Sequence, residues 1–213
     1  MIADTFEQVI TTRRSIRSFT DEIPSRQDID ILVESAIYAP YWGATGIPLW
    51  DIRKIFVIQQ NSEKMKRLQE LLFSAVKKNA RGLNILLKLL PFLKKRMWPF
   101  ANRLNMLSTH GMQSFYQAPY YIIVAEKKWF PPIEKQSIAH ALENMWLTAT
   151  NLWLGFQLLS ATGGLMSKNK EFLGVLGLES GTYQIDWCLV GYATKYPDTI
   201  RKFDREKFVT WIK

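Results

Sequence analysis

The sequence holds a single cysteine, Cys188, so no disulfide can form within one chain. It sits between Trp187 and Leu189 in an apolar run, which predicts a buried core thiol. Histidine is almost as scarce. His110 and His140 lack carboxylate or thiol companions at ligand spacing, so neither a metal site nor a Cys–His nucleophile has support. His110, beside Gly111, is predicted in a loop, and His140 on a helix face. No G-x-G-x-x-G follows a strand, and Gly163-Gly164 lacks the Lys-Ser/Thr pair of a phosphate-binding P-loop. G-x-S-x-G is missing as well. No apolar stretch is long and charge-free enough to span a bilayer. The opening MIADTFEQVI has neither the basic nor the apolar region of a secretory signal. With the lone thiol, this predicts a cytoplasmic protein. Enzymes without an acid–base or nucleophilic constellation work when a cofactor carries the hard step.

What is present bounds the fold. The 213 residues are 47% hydrophobic and 22% charged, enough for one sizeable core. Proline and glycine are not enriched and no repeat is visible, so one domain over residues 1–213 is expected. The net charge of +9 attracts anions of any kind: phosphate-bearing cofactors, nucleic acid or acidic lipid. No nucleic-acid motif appears. The basic residues are interleaved with core patterns rather than gathered on one helix, so nucleic acid is not an expected partner.

Along the chain, Asp4-Thr5-Phe6-Glu7 reads as a capping box with Asp4 as N-cap, opening a helix to about Thr11. Pro24-Ser25 opens a second helix with Ile29, Leu32, Val33, Ala36 and Ile37 on one face, stopping at Ala39-Pro40. Ile55 to Ile58 is an apolar run that predicts a buried strand. Residues 62–80 carry Met65, Leu68, Leu72, Ala75 and Val76 at helical spacing. Then LNILLKLLPFLKKRMWPF mixes apolar and basic residues, interrupted by Pro91 and Pro99. Its Leu83, Leu86, Leu87, Leu90 and Leu93 could line one helical face. Tyr120 to Ala125 predicts a second strand. Residues 134–159 predict a long helix, apolar nearly all round, interrupted or ended near Gly155. Gln184 to Val190 predicts a third strand, and residues 205–212 a last helix. Strands alternating with helices place the fold in the α/β or α+β classes.

The run Arg13-Arg14-Ser15-Ile16-Arg17 stands out. In an extended backbone Arg13, Ser15 and Arg17 project to one side, where two guanidinium forks and a hydroxyl suit a phosphate. Taken alone, a solvated basic run after a helix is the favoured reading. RRSIRSF, followed by a helix closing on Ala39-Pro40 and the strand KIFVIQ, resembles the opening of the nitroreductase family. Ala118-Pro119 before YYIIVAE, the helical HALENMWLTATNLWLGFQLL and DWCLVGYA resemble its later segments, in the right order over most of the chain.

The resemblance implies an α+β fold in three layers, a mainly antiparallel central sheet surrounded by helices in an intertwined homodimer. It implies FMN as cofactor and no catalytic side chain of the protein's own. The activity implied is ping-pong hydride transfer from NADH or NADPH to a quinone, nitroaromatic or similar acceptor. By matching positions, Arg13, Arg14, Ser15 and Arg17 would hold the FMN phosphate and ribityl chain, and Arg201 or Lys202 would add a second basic contact. The turn Thr162-Gly163-Gly164 would bring backbone N–H groups near the flavin N5. The chain departs from the family after Ala39-Pro40, where Tyr41 to Trp50 replaces the usual Asn and Gln-Pro-Trp. Tyr41, Trp42 and Thr45 are the expected pocket residues there. That loss leaves open a second reading, a flavin-binding or flavin-processing protein without general reductase activity. A helical, basic excursion is expected at about 80–117. Packing on the partner subunit is its first reading; a lid over an apolar acceptor or contact with an anionic membrane are the others.

Overall fold

The computed structural model describes residues 5–41, 46–196 and 203–212. Helix α1 covers Phe6–Thr12, α2 Arg26–Ile37 and α3 Leu49–Ile52, leading into strand β1, Arg53–Gln59. Helix α4 spans Glu63–Leu89, and a 3-10 turn at Pro91–Leu93 joins it to α5, Lys94–His110. Short helix α6, Gln113–Gln117, precedes β2, Tyr120–Lys127. Helix α7, Glu134–Asn151, is followed by β3, Gly155–Leu158, then α8, Ser160–Met166, α9, Lys170–Val175, and β4, Tyr183–Gly191.

The four strands form one antiparallel sheet in the order β1-β2-β4-β3. Strand alternation divides the core in two. Tyr121, Ile123 and Ala125 of β2 join Tyr183, Ile185, Trp187 and Leu189 of β4 beneath α4, α8 and α9. Tyr120, Ile122 and Val124, with Cys188 and Val190, face α2 and α7. This is the α+β arrangement expected, with helices on both faces. Cys188 is fully buried and its thiol pKa is pushed well up by that burial, as a core thiol's should be.

Several local expectations shift. The cap of α1 lies one residue later: Thr5 accepts from Gln8 N–H, and the Gln8 side chain answers the Thr5 N–H. Strand β1 is an edge strand, with Val57 exposed and Ile55 and Phe56 half-buried, because among the described residues only β2 pairs with it. In α2, Ile29, Leu32 and Ala36 are buried but Ile37 is exposed. Helix α4 continues to Leu89, and Pro91, which cannot donate to the helical ladder, breaks it. The leucines from 83 to 93 therefore share no single face. Pro99 lies inside α5 rather than interrupting the segment, and His110 is that helix's last residue instead of a loop residue. The stretch 134–159 divides into α7 and β3, which adds a fourth strand. Helix α7 buries one face, through Ile138, Ala141, Leu142, Met145 and Ala149, and exposes His140. The last helix reduces to a 3-10 turn at Arg205–Lys207. No described helix is long and apolar enough to cross a membrane.

A buried ion pair ties these layers together. Arg53 Nε donates to Glu126 Oε1 at 2.6 Å across the β1–β2 register, with side-chain exposures of 2% and 0%. Its Nη1 donates to the carbonyls of Ala36 and Ala39, and Nη2 to Pro40 O at 3.2 Å and to Ser137 Oγ at 3.1 Å. Ser137 Oγ in turn donates to Glu126 Oε1 at 2.9 Å. One guanidinium thus collects the carbonyls left over where α2 ends, and holds the root of the loop that begins at Tyr41.

Candidate functional site

The stretch after α1 is extended, as the basic cluster requires. It docks on the end of the sheet. Ile16 N–H donates to Phe156 O of β3 at 2.9 Å, Ser15 bridges Phe156 in parallel, and Phe19 bridges Ala193. Thr20 N–H reaches Tyr192 O at 2.9 Å, and Thr194 N–H reaches Ser18 O at 3.2 Å. Ile16 and Phe19 are buried anchors in the core, so the polar residues between and before them stay at the surface.

Two glycines make room for those anchors. A Cβ on Gly155 would stand 2.9 Å from Ile16 Cγ2 and 3.1 Å from Gly191 O. A Cβ on Gly191 would stand 2.4 Å from Pro119 Cδ and 3.1 Å from Phe19 Cδ1. Their role is close packing of this segment.

Within the cluster the four polar residues differ. Arg13 turns toward α7, where Nε pairs with Glu143 at 3.3 Å and the guanidinium lies 4.0 Å from the Trp146 ring centre. Trp146 stacks on Phe156 and donates its Nε1–H to Arg14 O at 3.1 Å, which fixes the backbone of the cluster as well. Arg14 Nη1 folds back on the carbonyls of Thr11 and Arg13. Ser15 is half-buried. Arg17 is exposed and makes no ion pair among the described residues.

Thr162, Gly163 and Gly164 lie in α8, not in a turn. The N–H groups of Thr162 and Gly163 are already bonded to Leu159 O, at 2.9 and 3.3 Å. The Thr162 hydroxyl accepts from Trp187 Nε1 at 2.8 Å and donates to Leu159 O at 2.8 Å. Gly163 is buried against β4, where a Cβ would stand 2.6 Å from Asp186 Oδ1. Tyr41 is partly exposed at the loop's start. Trp42 and Thr45, like Arg201 and Lys202, lie outside the described residues.

Two groups near this end escaped sequence reasoning. Asp186 lines a cavity of about 180 Å³ with Lys135, Ile138, Ser160, Gly164, Gln184 and Ile185. Burial pushes its carboxyl pKa up, and hydrogen bonds from Ser160 and from Trp187 N–H partly oppose that. An acid inside the apolar run QIDWCLV was the available signal. Gln157 of β3 is buried, and its Oε1 finds no partner among the described residues, while its amide nitrogen lies 3.7 Å from Met112 Sδ. An apolar crevice lies nearby, lined by Leu72, Phe73, Val76, Leu107, Met112 and Phe115, with Thr162 at its edge.

The fold has many solved relatives. A BluB-like flavoprotein from Clostridium difficile 630 is 19% identical with a TM-score of 0.73, over 99% of this chain and 100% of that one. A nitroreductase with bound FMN from Bacteroides fragilis NCTC 9343 is 18% identical with a TM-score of 0.72, over 99% and 100%. Another with bound FMN, from Desulfitobacterium hafniense DCB-2, is 19% identical with a TM-score of 0.69, over 100% of both chains. No curated protein matches the chain. The Nitroreductase family model matches residues 10–192, from the end of α1 to the residue after β4, and the chain belongs to the nitroreductase family.

Proposed function

We propose that the protein binds FMN and acts as an oxidoreductase, taking electrons from NADH or NADPH and delivering them to a quinone, nitroaromatic or similar small acceptor. The observation that carries this reading is the family match over residues 10–192, whose first strand-like segment is the docked cluster Arg13–Arg17. Solved structures of the same fold are described with bound FMN.

The residues present fit the cofactor. Arg17 makes no ion pair among the described residues, Ser15 offers a hydroxyl beside it, and Arg13, held by Glu143 at Nε and by the Trp146 ring, would offer its outer N–H groups to a phosphate. Arg14 supports the cluster through its backbone contacts, and Arg201 or Lys202 adds a further cation. The unpartnered Gln157 acceptor is the one buried side-chain atom on β3 left to a ligand. Bound FMN supplies the two-electron chemistry, which no side-chain constellation here provides. Thr162 to Gly164 shape the packing at that end of the sheet, with Gly164 free to be approached closely. Tyr41, Trp42 and Thr45 form the acceptor side. The working unit is a homodimer.

The visible spectrum of the purified protein tests this, with chromatography of the chromophore released by heat. FMN is the expected chromophore. A colourless protein that cannot be reconstituted with FMN refutes the reading. The loss of the family's Asn and Gln after Pro40 favours a second reading, flavin binding or processing without general reductase activity. Stopped-flow reduction separates the two: rapid reduction by NADH or NADPH and fast reoxidation by a quinone or nitroaromatic eliminate the second.

A further inference from the structure

The positive charge of this protein is concentrated in one place. Between Glu70 and Glu126 the chain has no acidic residue, yet it carries eight Lys and Arg. The rest of the chain balances twenty Lys and Arg against nineteen Asp and Glu. The acid-free stretch contains the outer part of α4 and all of α5, which pack as a hairpin.

This hairpin leaves the core. Leu68, Leu71, Leu72 and Val76 are the inner anchors of α4, and beyond Val76 none of its residues joins either core cluster. The remaining length extends about 20 Å at helical rise. Ala80, Leu87 and Ala101 are buried where the two helices pack, and Asn84 and Asn105 exchange side-chain hydrogen bonds of 2.9 and 3.2 Å across the pair. The outer surface is apolar: Leu89 is 72% exposed, Phe92 75%, Trp98 55% and Phe100 57%. Lys94, Lys95 and Trp98 line an open cleft with Pro91 at the tip.

We propose that the tip of the α4–α5 hairpin docks on an anionic phospholipid surface. Cations alternating with exposed aromatic and leucine side chains fit a bilayer interface, where apolar side chains sink below the headgroups and lysine stems reach up to phosphate. Trp98 suits the headgroup level itself. A nucleic acid would satisfy the cations but leave Leu89, Phe92 and Phe100 in water. A second copy meeting tip to tip would oppose two acid-free, cationic surfaces. Neither helix is long and apolar enough to cross, so the contact is peripheral.

The test is flotation of the full chain with phosphatidylcholine vesicles, with and without phosphatidylglycerol. Binding is expected only to the anionic vesicles, weakening as salt rises. Each basic residue near the surface is worth about fivefold in partitioning, so Lys94→Gln/Lys95→Gln loses about 25-fold. Phe92→Ala/Trp98→Ala also loses binding, whereas Lys168→Gln/Lys170→Gln on the protein body, both exposed, keeps it. Thermal unfolding checks that each variant is folded. Failure to float with anionic vesicles at low salt overturns the proposal. So does retention of duplex DNA or RNA by the same tip residues without vesicle binding, or a fall in solution mass in Phe92→Ala/Trp98→Ala without it. None of these readouts depends on bound flavin.

Discussion

Replacing Arg53 by methionine keeps the aliphatic stem and removes the charge, so it isolates the buried network. In the wild type, Glu126 shares Oε1 between Arg53 and Ser137, while its Oε2 already lacks a partner among the described residues. Without Arg53 the carboxylate keeps one hydroxyl donor in a fully buried site. Removing one member of a buried pair costs about 3–5 kcal/mol, because the other is left uncompensated. Three main-chain carbonyls, of Ala36, Ala39 and Pro40, lose a donor at the same time; Ala36 O keeps Ala39 N–H at 3.3 Å and Pro40 O keeps Ser137 Oγ at 3.4 Å. For a chain of this size about 1 kcal/mol moves the melting temperature by about 2–4 °C, so the fall is about 6–20 °C. The reasoning also demands that Arg53→Met/Glu126→Leu recover much of the loss, since no charge then remains buried. Calorimetry of the wild type, both single variants and the double variant measures the coupling. A single-variant shift below about 2 °C, or a double variant that melts lower than both singles, refutes the claim that Arg53 chiefly neutralises Glu126.

Other changes probe the site. Arg13→Ala/Arg17→Ala releases flavin while leaving the melting temperature of the apoprotein within a few degrees; full flavin occupancy by absorbance contradicts the assignment of the cluster. Gly191→Ala drives a methyl toward Pro119 and Phe19, costs about 1–3 kcal/mol by overpacking, and lowers flavin retention by displacing the segment that Phe19 anchors. Gly163→Ala costs a similar amount against Asp186, and Asp186→Ala in the same chain restores most of it in urea unfolding. Asp186 also gives a pH test. Its folded pKa is raised, so its protonated form adds stability that is fully present below the ordinary value of 3.8 and lost as pH rises through the folded value. Asp186→Asn therefore gains on the wild type between acidic and neutral pH; a melting-temperature difference that stays flat over that range removes the argument.

Much of the fold was legible because burial imposes period. Ile29, Leu32 and Ala36 mark α2 at helical spacing, and YYIIVA is apolar on both faces because β2 lies between two helical layers. Failures came where context overrides pattern. GFQL follows an apolar helix without a polar break, so β3 read as its continuation; only Trp153, at positive φ, and the pairing with β4 turn the chain. Ile55 to Ile58 read as a buried strand, yet among the described residues nothing covers Val57. Pro99 shows the opposite error. It is the sixth residue of α5, where the ring removes the ladder bond to the carbonyl of Lys95, and the helix runs on through it all the same.

The candidate site was half legible, and the reason is geometric. Charge and alternation pointed to Arg13, Ser15 and Arg17, because side chains offered to an anion must differ from their neighbours in type. Alternation could not say that Arg13 is held by Glu143 and Trp146, which lie on a helix far along the chain. Nor could it separate a flexible glycine from a crowded one. Gly155 and Gly191 read as a helix end and a strand end. In the folded chain they are the two surfaces against which Ile16 and Phe19 close. The basic residues and the glycines therefore form one device: the glycines fix the depth of Ile16 and Phe19, and that depth sets how far the segment's arginines stand from the sheet edge. A methyl at Gly191 should then weaken flavin retention without touching any residue that contacts phosphate, which the paired loss in Gly191→Ala would reveal and an unchanged occupancy would deny.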